Sequence, residues 1–218
     1  MANAITVFRV IAAMVVIYLI FTAGPTVVEW CAVAIAVVIF LDAVDGWVAR
    51  ARHETGQFGA IFDIVGDRIV ENALWIAFAC LGLVPAWVPL LVMARGFLVD
   101  GLRSAGYSEG MTPFGEHNMM RSKLTTWLTA GRFMRGLFGT AKVLGFVFLA
   151  GLKAYQLEGG HDTVVGWLYQ WTLVRGVGWF LVWAAVVLTV VRGVPVVIDA
   201  MAYLRERDAR ERDARVRA

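Results

Sequence analysis

The chain is poor in most of what holds a small soluble or secreted domain together. It has two cysteines in 218 residues. Both, Cys31 and Cys80, fall inside apolar stretches, so they are expected to act as small hydrophobes rather than as a disulfide or a thiolate metal site. There are five prolines and no long low-complexity linker, so one domain over 1–218 is expected, closing in a basic tail at 204–218. Charged residues make up only 17% of the chain, too few to cover a molecule that faces water all round. No basic cluster precedes the first apolar stretch and no small-x-small pattern follows it. A membrane helix is therefore expected at the N-terminus rather than a cleaved signal peptide.

What the chain has in excess is apolar sequence. At 60% hydrophobic residues and a mean hydropathy of +0.70, it reads as an all-α integral membrane protein. Six stretches approach the roughly 20 residues that a bilayer crossing demands. They run from about Ile5 to Phe21, Trp30 to Arg50, Gly59 to Val84, Trp87 to Arg103, Gly136 to Tyr155 and Val177 to Ile198. The breaks between them hold turn formers or charge: Gly24-Pro25, Arg52 to Gln57, Pro85, Ser104 to Arg121, and Glu158 to Asp162. Arg132, Arg135 and Lys142 suggest that the region before the fifth span begins at the interface, and Trp167, Trp171 and Trp179 suggest an aromatic belt around Val164 to Thr172.

Basic residues give an orientation. With the N-terminus cytoplasmic, the cytoplasmic connections and tail collect Arg52, Arg121, Lys123, Arg132, Arg135 and the arginines from Arg205 to Arg217, while the opposite side holds chiefly Lys153 and Arg175. The positive-inside rule then puts both termini in the cytoplasm. Beside a membrane helix the arginine-rich tail is expected to meet lipid headgroups or water, not nucleic acid. A bacterial inner membrane is the expected location.

Against this apolar background four aspartates stand out, Asp42 and Asp45 near the end of the second span, and Asp63 and Asp67 near the start of the third. Charge at such a boundary is expensive unless compensated. At about 100° per residue, Asp42, Asp45, Gly46 and Ala49 share about 100° of helix circumference, and Gly59, Asp63 and Asp67 recur at i, i+4 and i+8. A hairpin would let both acidic faces meet beside small residues. Converging carboxylates make a hard-oxygen site suited to Mg²⁺, Mn²⁺ or Ca²⁺. The plainer alternative pairs them with Arg50, Arg52 and Arg68.

These positions reproduce D-x2-D-G-x2-A-R-x8-G-x3-D-x3-D with Asp42, Asp45, Gly46, Ala49, Arg50, Gly59, Asp63 and Asp67 all in place, and on them the chain resembles the CDP-alcohol phosphatidyltransferase family. The resemblance implies six membrane helices, a cytoplasmic-side active site and a homodimer. It also implies a reaction in which an alcohol takes the phosphatidyl group of CDP-diacylglycerol and CMP leaves. By the same resemblance Asp42, Asp45, Asp63 and Asp67 would hold Mg²⁺ or Mn²⁺, two ions in all, with Asp67 also the general base. Gly46, Ala49, Arg50 and Gly59 would receive the CDP-lipid. A cation or proton transporter with a carboxylate relay is the alternative from another class, but no acidic path continues across the remaining spans.

For the acceptor, Asn3-x-x-Thr6-x-x-Arg9 and the stretch from Ala94-Arg95 to Leu102-Arg103 are similar to elements of the phosphatidylglycerophosphate synthase branch, which implies glycerol 3-phosphate. Inositol phosphate, serine or another alcohol remains open, because Gly96 stands where that branch has glutamate and its G-K-x-K-T element is incomplete here. Lys123 and Lys142 are the two candidates for its lysine, and Arg95 and Arg103 complete the expected acceptor-binding set.

Overall fold

A computed structural model describes the backbone of residues 2–51, 57–107, 127 and 131–217, and the side chains of 4–41, 59, 61–102, 127, 131, 133–199 and 201. All regular structure among the described residues is helical. The long helices are α1 (Ala2–Thr22), α2 (Pro25–Ala51), α3 (Gln57–Cys80), α4 (Trp87–Tyr107) and α5 (Arg132–Gln156). A 3-10 turn (Gly160–Asp162) and the short α6 (Gly166–Gln170) lead into α7 (Thr172–Arg217).

Local chemistry explains the helix ends. Between α1 and α2 the Gly24 carbonyl accepts from the Val27 and Val28 amides, and Pro25 takes the first helical position, where its missing N–H is no loss. The third apolar stretch was expected to run to Val84, but α3 stops at Cys80. Gly82 adopts φ 72°, and the Leu83 and Gly82 amides bond back to the Phe78 and Ala79 carbonyls, a left-handed glycine cap that ends the helix whatever the hydropathy beyond it. At the other extreme, α7 passes the expected end at Ile198 and absorbs the tail, spanning 46 residues with Pro195 inside it.

Six expected spans thus coincide with six long helices among the described residues. Among the described residues, Ala4–Thr22, Phe133–Gln156 and Thr172–Asp199 are long and apolar enough to cross a membrane, with a shorter apolar run at Pro25–Leu41. Helix α3 carries Asp63, Asp67, Arg68 and Glu71, and α4 carries Arg95, Asp100 and Arg103. Phe8, Tyr18, Trp30 and Phe40 lie between 62% and 67% exposed, an apolar surface suited to lipid rather than water.

The described residues form two compact units, one of Met1–Leu90 with Thr140–Ala185 and one of Leu91–Gly139 with Val186–Ala218. In the first, α1 packs on both α2 and α3. Its buried stripe, Thr6, Arg9, Ala13, Val16 and Ile20, follows the three-four spacing of one helix face. Trp75 meets Phe146 edge-on with centroids 4.8 Å apart, and Trp87 stacks on Trp183 at 5.8 Å. Glu29 accepts from the Val165 amide at 3.2 Å, tying the segment before α6 to the first turns of α2. Tyr169 donates to the Phe148 carbonyl at 3.1 Å. Burial pushes its phenol up to about 12, so it remains a donor at physiological pH. The second unit buries Val92, Val99, Met134 and Val196.

One glycine controls how closely α1 approaches α3. A Cβ at Gly66 would run into Thr6 Cγ2, closer than real Cβ contacts come. Gly66→Ala should therefore lower stability by about 1–3 kcal/mol through overpacking, read by thermal unfolding in detergent. Gly101→Ala, where nothing lies within 4 Å, should be neutral or stabilising by about 0.5–1 kcal/mol.

Candidate active site

The site grows from one face of α3. Asp63, Asp67 and Glu71 follow each other at intervals of four residues, so their side chains rise in a row along the helix. Three carboxylates in a row repel one another unless cations come between them, and the first unit supplies these from two other helices.

Arg9, in the buried stripe of α1, is the first. It is 1% exposed, and its Nη2 lies 2.9 Å from Asp67 Oδ1 and 3.6 Å from Asp63 Oδ1. Gly66 lies beside this contact, and a Cβ there would meet Arg9 Nη2 at an ordinary 3.5 Å, its tight neighbour being Thr6. The second cation is Lys142 of α5, whose Nζ stands 3.5 Å from Glu71 Oε2. Arg68 Nη1 reaches the same oxygen at 3.3 Å. The plainer sequence alternative gave Arg68 to the aspartates; Arg68 acts electrostatically on Asp67 and pairs with Glu71 one turn on, and the buried guanidinium at the aspartates comes from α1. Arg50 and Arg52 lie outside the described side chains.

These groups border a cavity of about 50 Å³, room for one or two waters. Arg9, Asp67, Glu71 and Lys142 are its polar lining, with Val38, Ile39, Val70, Leu74 and Phe146 as its walls. Val38 and Ile39 precede Asp42 by four and three residues on α2, so the helix that carries Asp42 and Asp45 borders the Asp67 cavity.

The expected site residues divide into three groups. Asp63, Asp67 and Lys142 come together in the first unit, and Gly59 lies one turn before Asp63 on α3. Asp42, Asp45, Gly46, Ala49 and Arg50 lie on the helical backbone of α2 and Arg103 on that of α4, with side chains outside the described residues; Lys123 lies wholly outside them. Arg95 belongs to the second unit, where Gly193 leaves it space: a Cβ there would stand 2.6 Å from Arg95 Cγ. Also in that unit, Arg192 lies over the Phe138 ring at 4.9 Å, and Thr189 and Asp199 are buried.

Arg9 as counter-ion, Glu71 and Arg192 were not among the expected site residues. A signal existed for the first two: Arg9 interrupts an apolar stripe with buried spacing, and Glu71 continues the Asp63, Asp67 interval by four. Arg192 had no such mark.

Among the described residues no three histidine, cysteine, aspartate or glutamate side chains cluster as a metal site. The pair that is described fits a divalent cation nonetheless. Asp63 and Asp67 side chains are 40% and 52% exposed, so Arg9 holds them from one side, and an ionised carboxylate has about four acceptor positions. Hard oxygen donors open on one side suit Mg²⁺ or Mn²⁺.

Comparison with known proteins bears on this geometry. A model of the family described as CDP-alcohol phosphatidyltransferase matches residues 1–191. A Mycobacterium tuberculosis protein named "Probable phosphatidylglycerophosphate synthase" is 30% identical over 172 residues, covering 75% of this chain and 79% of the relative. A Bacillus subtilis CDP-diacylglycerol–glycerol-3-phosphate 3-phosphatidyltransferase is 34% identical over 88 residues, 39% of this chain and 43% of its own length. A Schizosaccharomyces pombe CDP-diacylglycerol–inositol 3-phosphatidyltransferase is 40% identical over 52 residues, 24% and 22% of the two chains.

Removing the Arg9 charge tests the arrangement. Arg9→Gln should destabilise the protein by about 1–3 kcal/mol, less than a fully enclosed pair because both aspartates are partly exposed. Thermal unfolding at low and high salt checks this, and an unchanged transition would contradict the pairing.

Proposed function

The chain belongs to the CDP-alcohol phosphatidyltransferase family, and from that premise we propose that it transfers the phosphatidyl group of CDP-diacylglycerol to glycerol 3-phosphate, releasing CMP. The observation that carries the acceptor choice is the Asp67 cavity, bordered by Arg9 and Lys142. Arg9 and Lys142 stand there with the carboxylates Asp67 and Glu71, and cations beside a carboxylate base suit an alcohol that also bears a phosphate. The names of the mycobacterial and Bacillus relatives support the same acceptor.

In this reading the acceptor hydroxyl oxygen bonds to the phosphatidyl phosphorus while the bond from that phosphorus to the CMP oxygen breaks. The hydroxyl proton passes to the Asp67 carboxylate, which the Arg9 guanidinium at 2.9 Å holds in place. Lys142 binds the acceptor phosphate, with Arg95, Arg103 and Lys123 as further candidates. Gly46, Ala49, Arg50 and Gly59 leave space and charge for the cytidine diphosphate. Asp42, Asp45, Asp63 and Asp67 would hold two Mg²⁺ or Mn²⁺ ions, which when bound offset the charge of the diphosphate and of the departing CMP. Confining polar groups to a small floor between apolar walls keeps bulk water from competing with the alcohol.

The reading also takes the chain as one domain, since α4, α5 and α7 each contribute residues to both units. It places the site and both termini on the cytoplasmic side of a bacterial inner membrane, with the protein as a homodimer. Serine or inositol phosphate would use the same donor chemistry, and the yeast relative's name keeps the latter in view.

Purified protein incubated with CDP-diacylglycerol, Mn²⁺ and a panel of alcohols should release CMP fastest with glycerol 3-phosphate. Release with serine or inositol phosphate alone would overturn the acceptor, and no acceptor-dependent CMP from folded protein would overturn the reaction. Asp67→Asn should lower kcat by about 10²–10⁴-fold while the protein stays folded. Lys142→Met should raise the acceptor KM about tenfold, a loss of about 1.4 kcal/mol, and leave the CDP-lipid KM within twofold of wild type.

A further inference from the structure

Glu71 occupies none of the positions that the family pattern specifies, yet it is among the few buried charged residues, 7% exposed. It stands one turn beyond Asp67 on the same face of α3, with about 5–6 Å between the two Cβ atoms. One oxygen, Oε2, receives both Arg68 at 3.3 Å and Lys142 at 3.5 Å. Lys142 borders the cavity that Asp67 also borders, and Arg9, Lys142 and Arg68 all act electrostatically on the Asp67 carboxylate.

These cations differ in what they can do. Arg9 already holds Asp67 at 2.9 Å. Arg68 adjoins Asp67 in sequence, and neighbouring residues on a helix do not face each other. Lys142 is a point charge on a flexible four-carbon stem; its ammonium can turn to either carboxylate in the cavity, and Glu71 is where it rests. A second cation on Asp67 would cover the oxygen positions that a metal ion or an incoming proton requires.

We propose that Glu71 is a positioning residue that draws Lys142 away from Asp67 and so keeps the Asp67 carboxylate open for the divalent cation and the acceptor proton. The row along α3 then works by division: Asp63 and Asp67 share Arg9, and Glu71 takes Lys142 with Arg68. This rests on the reading of Asp67 as a metal ligand.

The test uses the full chain in detergent without substrates and measures Mn²⁺ binding by the free-Mn²⁺ electron paramagnetic resonance signal. Glu71→Gln should weaken Mn²⁺ binding at least fivefold, because Lys142 turns to Asp67. Adding Lys142→Met to that variant should restore affinity to within twofold of Lys142→Met alone, the coupling that a double-mutant cycle isolates. Affinity in Glu71→Gln within twofold of wild type, or a defect that Lys142→Met leaves in place, would overturn the proposal. If Glu71→Gln does not fold, Lys142→Met decides alone: it should bind Mn²⁺ at least as tightly as wild type, and fivefold weaker binding would overturn the role given to Glu71. Asp67→Asn separates the two layers. Wild-type Mn²⁺ affinity in that variant defeats the metal-ligand reading itself, whereas loss of binding there together with an unaffected Glu71→Gln defeats only the role of Glu71.

Discussion

A guanidinium at 1% exposure needs partners inside an apolar protein, since taking an ion out of water costs several kcal/mol. Arg9 meets that constraint at Asp63 and Asp67, and much of the first unit follows from it. Helix α1 must lie against the charged face of α3, and Gly66 must have no side chain where Thr6 crosses it. The same contact answers the opposite problem on α3, where it brings a buried cation to two aspartates. On the proposed reaction, the interaction that packs α1 on α3 is also the one that holds the carboxylate assigned as base.

The remaining charges of the unit continue the arrangement. A row of three carboxylates on α3 is interleaved with cations from α1 and α5, and Arg68 adds a local pair at i, i+3. Aromatic packing stiffens the wall next to this row: Trp75 and Phe146 meet edge-on, and Phe146 also borders the cavity. Because α5 supplies Phe146 and Lys142 one turn apart, the packing that fixes the ring also fixes where the lysine stem begins. Among the described residues the site is thus set by helix register.

Much of this was legible in the sequence, for identifiable reasons. Apolar length marked the six long helices, and the aspartate spacing marked the face of α3, because both are properties of a helix alone. Helix ends were legible only where the turn former was obvious. Gly24-Pro25 gave the first, while Gly82 inside an apolar run hid the end of α3, and the charged tail hid the continuation of α7. Pairing was the least legible feature. Arg9 stood in the text as part of an N-terminal element, 58 residues before Asp67, and nothing local joins the two. Glu71 escaped notice because it belongs to no family position, although its interval from Asp67 was visible. The choice between Lys123 and Lys142 depended on which helix faces α3, a tertiary fact: Lys142 lies at the cavity, and Lys123 lies outside the described residues.

The central claim is that Arg9 holds the carboxylates that receive the divalent cation. Its most direct test is the ¹⁵N resonance of the Arg9 side chain in lipid nanodiscs, assigned by Arg9→Lys and followed as Mn²⁺ is added. The account predicts that this resonance broadens at substoichiometric Mn²⁺, ahead of that of the exposed Arg135, and that Asp67→Asn abolishes the effect. An Arg9 resonance that stays sharp while the protein binds Mn²⁺ would contradict it.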